Sequence, residues 1–193
     1  YLFNGCSGLT SLDVSNWDTH SATEMQGMFC GCTGLTTLDV SGWDTSNVTN
    51  MSLMFYRDYN LEYVDVSGWD VSKVTAMNHM FSSDHQNAAD MKLKNIDVSK
   101  WNPVSVTNMG SMFYGCGQLT QIDMSGWNLP KLTTVSHMFA DCSKLAVVDV
   151  SGWQTPSLTC MDAMFNHCIS MKTIDMSSFD TSNVREFSQV FEH

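Results

Sequence analysis

Basic residues are what this chain has least of. Nine Lys and Arg stand against twenty Asp and Glu in 193 residues, a net charge of −11. A nucleic-acid-binding surface works by displacing counterions with Lys and Arg, so this balance excludes nucleic acid as a partner and argues against docking on anionic membranes. No run of about eighteen apolar residues is present, so the sequence lays out no membrane-inserted helix. Signatures of catalysis are missing as well. There is no G-x-S-x-G, no H-E-x-x-H and no phosphate-cradling glycine loop. The six histidines share no metal-ligand spacing. Neither C-x-C nor C-x-x-C recurs, which leaves no zinc signature. We expect no enzyme, no cofactor and no metal site.

What is there is a period. Trp17, Trp43 and Trp69 lie 26 residues apart, as do Trp101, Trp127 and Trp153, with Phe179 next in line. Phe3, Phe29, Phe55, Phe81, Phe113, Phe139, Phe165 and Phe191 keep the same beat. In each column one step is 32 residues, which places a six-residue insertion within 82–95. Self-similarity at such a period means coils that bury one another's apolar faces. The chain opens and closes inside a repeat, so 1–193 reads as one repeat solenoid and as a fragment of something longer.

Each copy reads L-x-x-L-D-V-S-x-W-D-T-S-x-V-T-x-M-x-x-M-F-x-x-C. Leu38 and Val40 alternate with Asp39 and Ser41, the pattern of a strand with one buried face. Leu12/Val14, Val64/Val66, Ile96/Val98, Ile122/Met124, Val148/Val150 and Ile174/Met176 are the equivalent pairs. Val48, Met51, Met54 and Phe55 then fall at helical spacing, which predicts a short helix or 3₁₀ segment capped by Asp44, Thr45 or Ser46. The expected fold is an α/β, right-handed solenoid of about seven 26-residue coils, with a parallel sheet on one face and short helical turns on the other.

The L-x-x-L-D-V-S and W-D-T-S-x-V-T-x-M runs resemble leucine-rich repeats, and more narrowly the bacterial-surface-protein type. The resemblance covers the whole chain. It implies a cell-surface or extracellular protein of a family assigned to adhesion or to no known function. Trp stands where the commonest leucine-rich repeats carry Asn or Cys, so their asparagine ladder is not expected.

Stacking turns every position into a ladder with rungs about 4.8 Å apart. The Trp column reads as stacked core at a corner of each coil, in preference to an exposed strip for sugar rings. The Met pairs, which account for most of the fifteen methionines, read as core filler. Asp13, Asp39, Asp65, Asp97, Asp123, Asp149 and Asp175 form an outward column. Like charges at this spacing repel by roughly 1 kcal/mol per neighbouring pair in bulk water. Either bonds from the Ser column and backbone amides offset this, or the strip gathers cations or a basic partner. The Thr column raises ice binding, but its second rank is too ragged for a flat ice-matching face. The cysteines, one per coil in most copies with Asp58 and Asp84 in the middle ones, read as small buried, unbridged thiols.

The copies differ most at the outward strand positions before each Asp. Tyr56, Arg57, Tyr59 and Tyr63 cluster beside the insertion Ser82–Lys94, and we expect that bulge and these tyrosines to form the main contact patch. The function expected is a non-enzymatic binding or adhesion module contacting protein or glycan through its sheet face. The alternative is a structural subunit or spacer, packed end to end with flanking repeats or other subunits.

Overall fold

Alternation and period act together in the computed structural model, which describes residues 1–83 and 91–192. Residues 26 apart lie side by side, and the inward strand residues Leu38, Val40, Val64, Val66, Ile122, Met124, Val148 and Val150 are buried. The paired strands are short: β1 (Thr37–Leu38), β2 (Tyr63–Val64), β3 (Gln121–Asp123) and β4 (Val147–Asp149). β1 pairs with β2 and β3 with β4, both parallel and in register with the repeat. The strands stop early for a local reason. Each column Asp turns Oδ1 back onto the amide of the Ser two residues on, as in Asp39–Ser41 at 3.1 Å. That amide is thereby withdrawn from the inter-coil ladder.

The expected helical turns are absent among the described residues. The M-x-x-M-F-x-x-C stretch instead runs as overlapping turns whose amides alternate in direction. Those of Met51, Leu53, Phe55 and Arg57 donate to carbonyls of Ala76, Asn78, Met80 and Ser82 in the next coil, at 2.8–3.0 Å. Those of Met54, Tyr56 and Asp58 close three residues back, onto Met51, Leu53 and Phe55. A helix would keep all these bonds inside the segment; the stack spends half of them on its neighbour. The alternation needs left-handed backbone at two columns, occupied by Gly27 and Gly31 in one copy and by Leu53 and Arg57 (φ 60° and 64°) in the next. Asp44, Thr45 and Ser46 accordingly close a turn in place of a helix cap. Asp44 Oδ1 accepts the Ser46 amide at 2.9 Å, and the Thr45 hydroxyl donates to the Asp70 carbonyl at 2.9 Å.

On this side the pairing is continuous. Six parallel bridges join Glu24, Asn50, Ala76, Asn108, Thr134, Cys160 and Glu186 in sequence. The Phe column stacks unbroken from Phe3 to Phe191, with centroids 5.3–5.6 Å apart. Trp43, Trp69, Trp101, Trp127 and Trp153 are buried. Each donates its indole N–H to a carbonyl of the preceding coil, as Trp43 does to Val14 at 3.1 Å and Trp153 to Met124 at 2.9 Å. The column is therefore core, with a polar handle satisfied at every one of these rungs.

Candidate functional site

The Asp ladder has the bonding that offsets its charge. Asp13, Asp39, Asp65, Asp97, Asp123 and Asp149 each accept both the hydroxyl and the amide of their Ser at 2.7–3.1 Å. Asp175 accepts the Ser177 amide at 2.9 Å. The seryl hydroxyl, then the seryl amide, hold Asp13, Asp39, Asp97 and Asp175 below the ordinary carboxylate range. At Asp149 the same two bonds act with the amide first, while Asp175 on the next rung works against them. Satisfied in this way, the carboxylates still present a line of negative charge on the strand face.

Among the described residues the strand pairing is confined to two coil pairs, and the coils carrying residues 12–14 and 174–176 add no named strand. Between β2 and β3 the coil carrying Asn95, Ile96 and Asp97 adds no named strand, and Lys94 reaches back to Glu62 with a 3.4 Å backbone bond. A cleft of about 490 Å³ lies across this break. Asp65, Asp97, Asp123 and Asp149 line it together with Tyr63 and Val147, which are 54% and 56% exposed. Ile96 and Ile122 lie at its base, and Asn95 and Gln121 complete the outward column between Tyr63 and Val147. The strand register explains the arrangement. Residues two apart share a face, so the variable column and the Asp column run side by side.

The tyrosines expected to act together are separated by their elements. Only Tyr63 reaches the cleft. Tyr56 sits on the turn side, edge-on to His79 at 5.7 Å with the Arg57 guanidinium over its ring at 5.0 Å. Tyr59 is half-buried against the core. Residues 84–90 lie outside the described residues, and with them Asp84 and the centre of the expected bulge, while its described flanks Ser82, Ser83, Met91 and Leu93 are buried. Val147 belongs to the variable outward strand positions read from sequence but is not among the residues expected to form the contact patch.

The remaining ladders are used within the stack. From Thr49 to Thr159 each Thr of the column donates its amide and hydroxyl to the previous Thr carbonyl, as Thr75 does to Thr49 at 2.8 and 3.0 Å, leaving these hydroxyls committed to the protein. All seven cysteines are thiols and none is bridged. Those of Cys32, Cys142 and Cys168 donate to Phe carbonyls of preceding coils at 3.1–3.2 Å. Asp58 takes the place of Cys in this column. Its Oδ1 accepts the Cys32 amide at 2.7 Å, its Oδ2 is buried without a partner, and burial pushes the carboxyl up to about 8. Cys160, Asp162 and Glu186 bring three ligand atoms within 4.8 Å of one another. Burial raises the Cys160 thiol and Asp162 already accepts the Ser188 amide and hydroxyl at 2.7 and 3.1 Å. A protonated thiol is a poor metal ligand.

Comparison with known proteins follows the same repeat. The family model described as "Mycoplasma protein of unknown function, DUF285" matches residues 1–95 and again 85–193. The chain belongs to that family. The two tandem matches span the chain and bear out the resemblance read from the W-D-T-S-x-V-T-x-M repeats. DUF285 proteins are repeat proteins of unknown function and do not form a known enzyme family. No curated protein matches. Among solved structures the chain is similar to a leucine-rich repeat protein from Bacteroides ovatus, at 17% identity and a TM-score of 0.37 over 86% of this chain. It spans 48% of that protein's length.

Proposed function

We propose that this DUF285 chain is a non-enzymatic binding module of a cell-surface or extracellular protein, engaging a protein or glycan through its strand face. The observation that carries the reading is the cleft over the interrupted sheet. It is concave, and two large side chains that a stability argument would bury, Tyr63 and Val147, stand exposed at it. Recognition sites combine such apolar contacts with a few placed polar groups, and solenoids bind along their extended faces. The repeated Asp residues do not resemble a catalytic centre, since each copy carries the same carboxylate in the same bonds.

A second reading is a structural subunit or spacer, since repeat stacks also serve as rigid elements. The two separate experimentally. The chain is immobilised and challenged with panels of extracellular-matrix proteins and oligosaccharides, beside a Tyr63→Ala/Val147→Ser variant. Capture lost in the variant supports a strand-face binding module. Concentration-dependent filaments in sedimentation, unaffected by that variant and with no capture, would replace it with the assembly reading.

A further inference from the structure

The chemistry of the cleft narrows the partner, and this inference rests on the strand-face reading above. Four carboxylates line it, from Asp65, Asp97, Asp123 and Asp149, and no lysine or arginine is among the described lining residues. After the Ser99 bonds, Lys100 also helps lower the Asp97 carboxyl but does not line the cleft, and three other cations beside the cleft are engaged elsewhere. Lys94 donates to Glu62 at 2.6 Å and Lys92 to Asn60 at 2.7 Å, both between coils, and Arg57 lies over Tyr56. The carboxylates are fixed as well as charged, because their Ser bonds hold each Oδ1 in place. Seated on neighbouring rungs about 4.8 Å apart, like charges repel one another. A ligand that brings positive charge between the rungs relieves this repulsion and meets a preorganised surface.

The column beside the carboxylates is neutral. Tyr63 and Val147 offer apolar area, and Asn95 and Gln121 offer amides between them. A bare cation would leave this column unused. An extended polypeptide lying along the ladder axis would use both. Its side chains on one face recur every ~6.7 Å, so three basic residues at i, i+2 and i+4 span about 13 Å of the roughly 14 Å across four rungs, while its backbone and alternate side chains lie over the neutral column.

We propose that the cleft across the β2–β3 break binds an extended basic segment of a partner protein, with alternate Lys or Arg side chains seated on Asp65, Asp97, Asp123 and Asp149 and the segment's neutral face on Tyr63 and Val147. The acidic balance of the chain steers such a segment toward the face, and the cleft fixes where it stops.

The test uses a fluorescein-labelled octapeptide of alternating lysine and threonine, with alternating glutamate and threonine as its control, read by polarisation at ~0.15 M salt. Asp97→Asn/Asp123→Asn removes two charges inside the cleft while keeping an oxygen for each Ser. Asp13→Asn/Asp39→Asn removes two from the same ladder outside it. The expected result is saturable binding of the lysine peptide only. The cleft pair should weaken it about 10-fold or more and the outer pair less than about 2-fold. Equal weakening by both pairs would overturn the proposal, since a diffuse field and not a site would be responsible. So would failure of the lysine peptide to bind better than the control. If a neutral oligosaccharide or protein is still captured in a Tyr63-dependent way, the basic-segment proposal falls and the strand-face reading stands. If nothing is captured through Tyr63, both fall.

Discussion

The two long sides of the solenoid meet the same six-residue insertion and respond differently. On the turn side the stack passes through it undisturbed. Ala76 bridges Asn108, the Phe81 amide donates to the Met112 carbonyl at 2.9 Å, and the Phe81 and Phe113 rings remain 5.6 Å apart and nearly parallel. On the strand side, among the described residues, pairing is confined to β1–β2 and β3–β4, with no named strand in the coil after the insertion nor in the first and last coils. The difference follows from what holds each side. Four inter-coil amide bonds per coil, an aromatic stack and a Thr ladder over-determine the turn side. Two or three paired residues hold the strand side, because the Asp–Ser turns take the next amide. The side held by redundant bonds carries the fold, and the weakly paired side is left free to vary and to open.

Truncation should expose the contrast most strongly. Phe113 is fully buried in the middle of the ring stack, and Phe113→Ala should cost roughly 3–5 kcal/mol in denaturant unfolding. Tyr63→Ala, on the exposed face, should stay within about 0.5 kcal/mol while affecting binding. A Tyr63 variant as damaging as the Phe113 variant would show that the strand face is structural after all.

Within the turn side, Asp58 is the weak rung. Its carboxyl titrates at about 8 in the fold, raised by burial against backbone bonds from Cys32 and Gly31, and near 4 when unfolded. Between those values the folded state holds a proton that the unfolded state has released, so stability falls as pH rises through the window from 4 to 8. Asp58→Cys restores the column residue. It should flatten this part of the stability–pH curve and add on the order of 2 kcal/mol or more at pH 8. Identical curves for the two proteins would mean that the buried Oδ2 finds a partner in solution.

How much of this could be read from residues alone also divides by side. Period, buried columns and the Trp core were legible because they depend on spacing and hydrophobicity. Asp–Ser bonding was legible because both residues recur two apart in every copy. The turn side was misread as helical because Val48, Met51, Met54 and Phe55 bury the same positions whether amides bond four residues back or to the next coil. Spacing reports which side chains go in and is silent on where the amides go. The left-handed residues at Leu53 and Arg57 carried only one hint, the glycines at positions 27 and 31. The cleft was illegible because it arises from missing pairing, to which no residue type points; Tyr56 and Tyr59 looked like neighbours of Tyr63 in sequence and are carried by different elements.

Glycines sharpen the comparison at smaller scale. A Cβ on Gly152 would lie 1.9 Å from the Ser125 carbonyl oxygen, whereas one on Gly42, in the same column, would be 3.6 Å from that of Ser15. The Ser125 carbonyl therefore leaves no room for a side chain at Gly152, whereas the Ser15 carbonyl does at Gly42. Gly152→Ala should cost about 1–3 kcal/mol and Gly42→Ala should be neutral within about 0.5 kcal/mol. Equal effects would mean the corner is uniform along the stack.

The smallest effect expected is a gain. Asp141 holds φ 61° in the column where other copies place Gly31 and Gly115. Left-handed backbone costs an L-residue roughly 1–2 kcal/mol, a cost that Asp moderates and that glycine avoids while giving up about 0.5–1 kcal/mol of chain entropy. Asp141→Gly should thus raise the unfolding midpoint slightly, by a few tenths of a kcal/mol. A clear loss would show that the Asp141 carboxylate, 3.6 Å from the His167 ring nitrogen, contributes more to the turn side than its backbone strain removes.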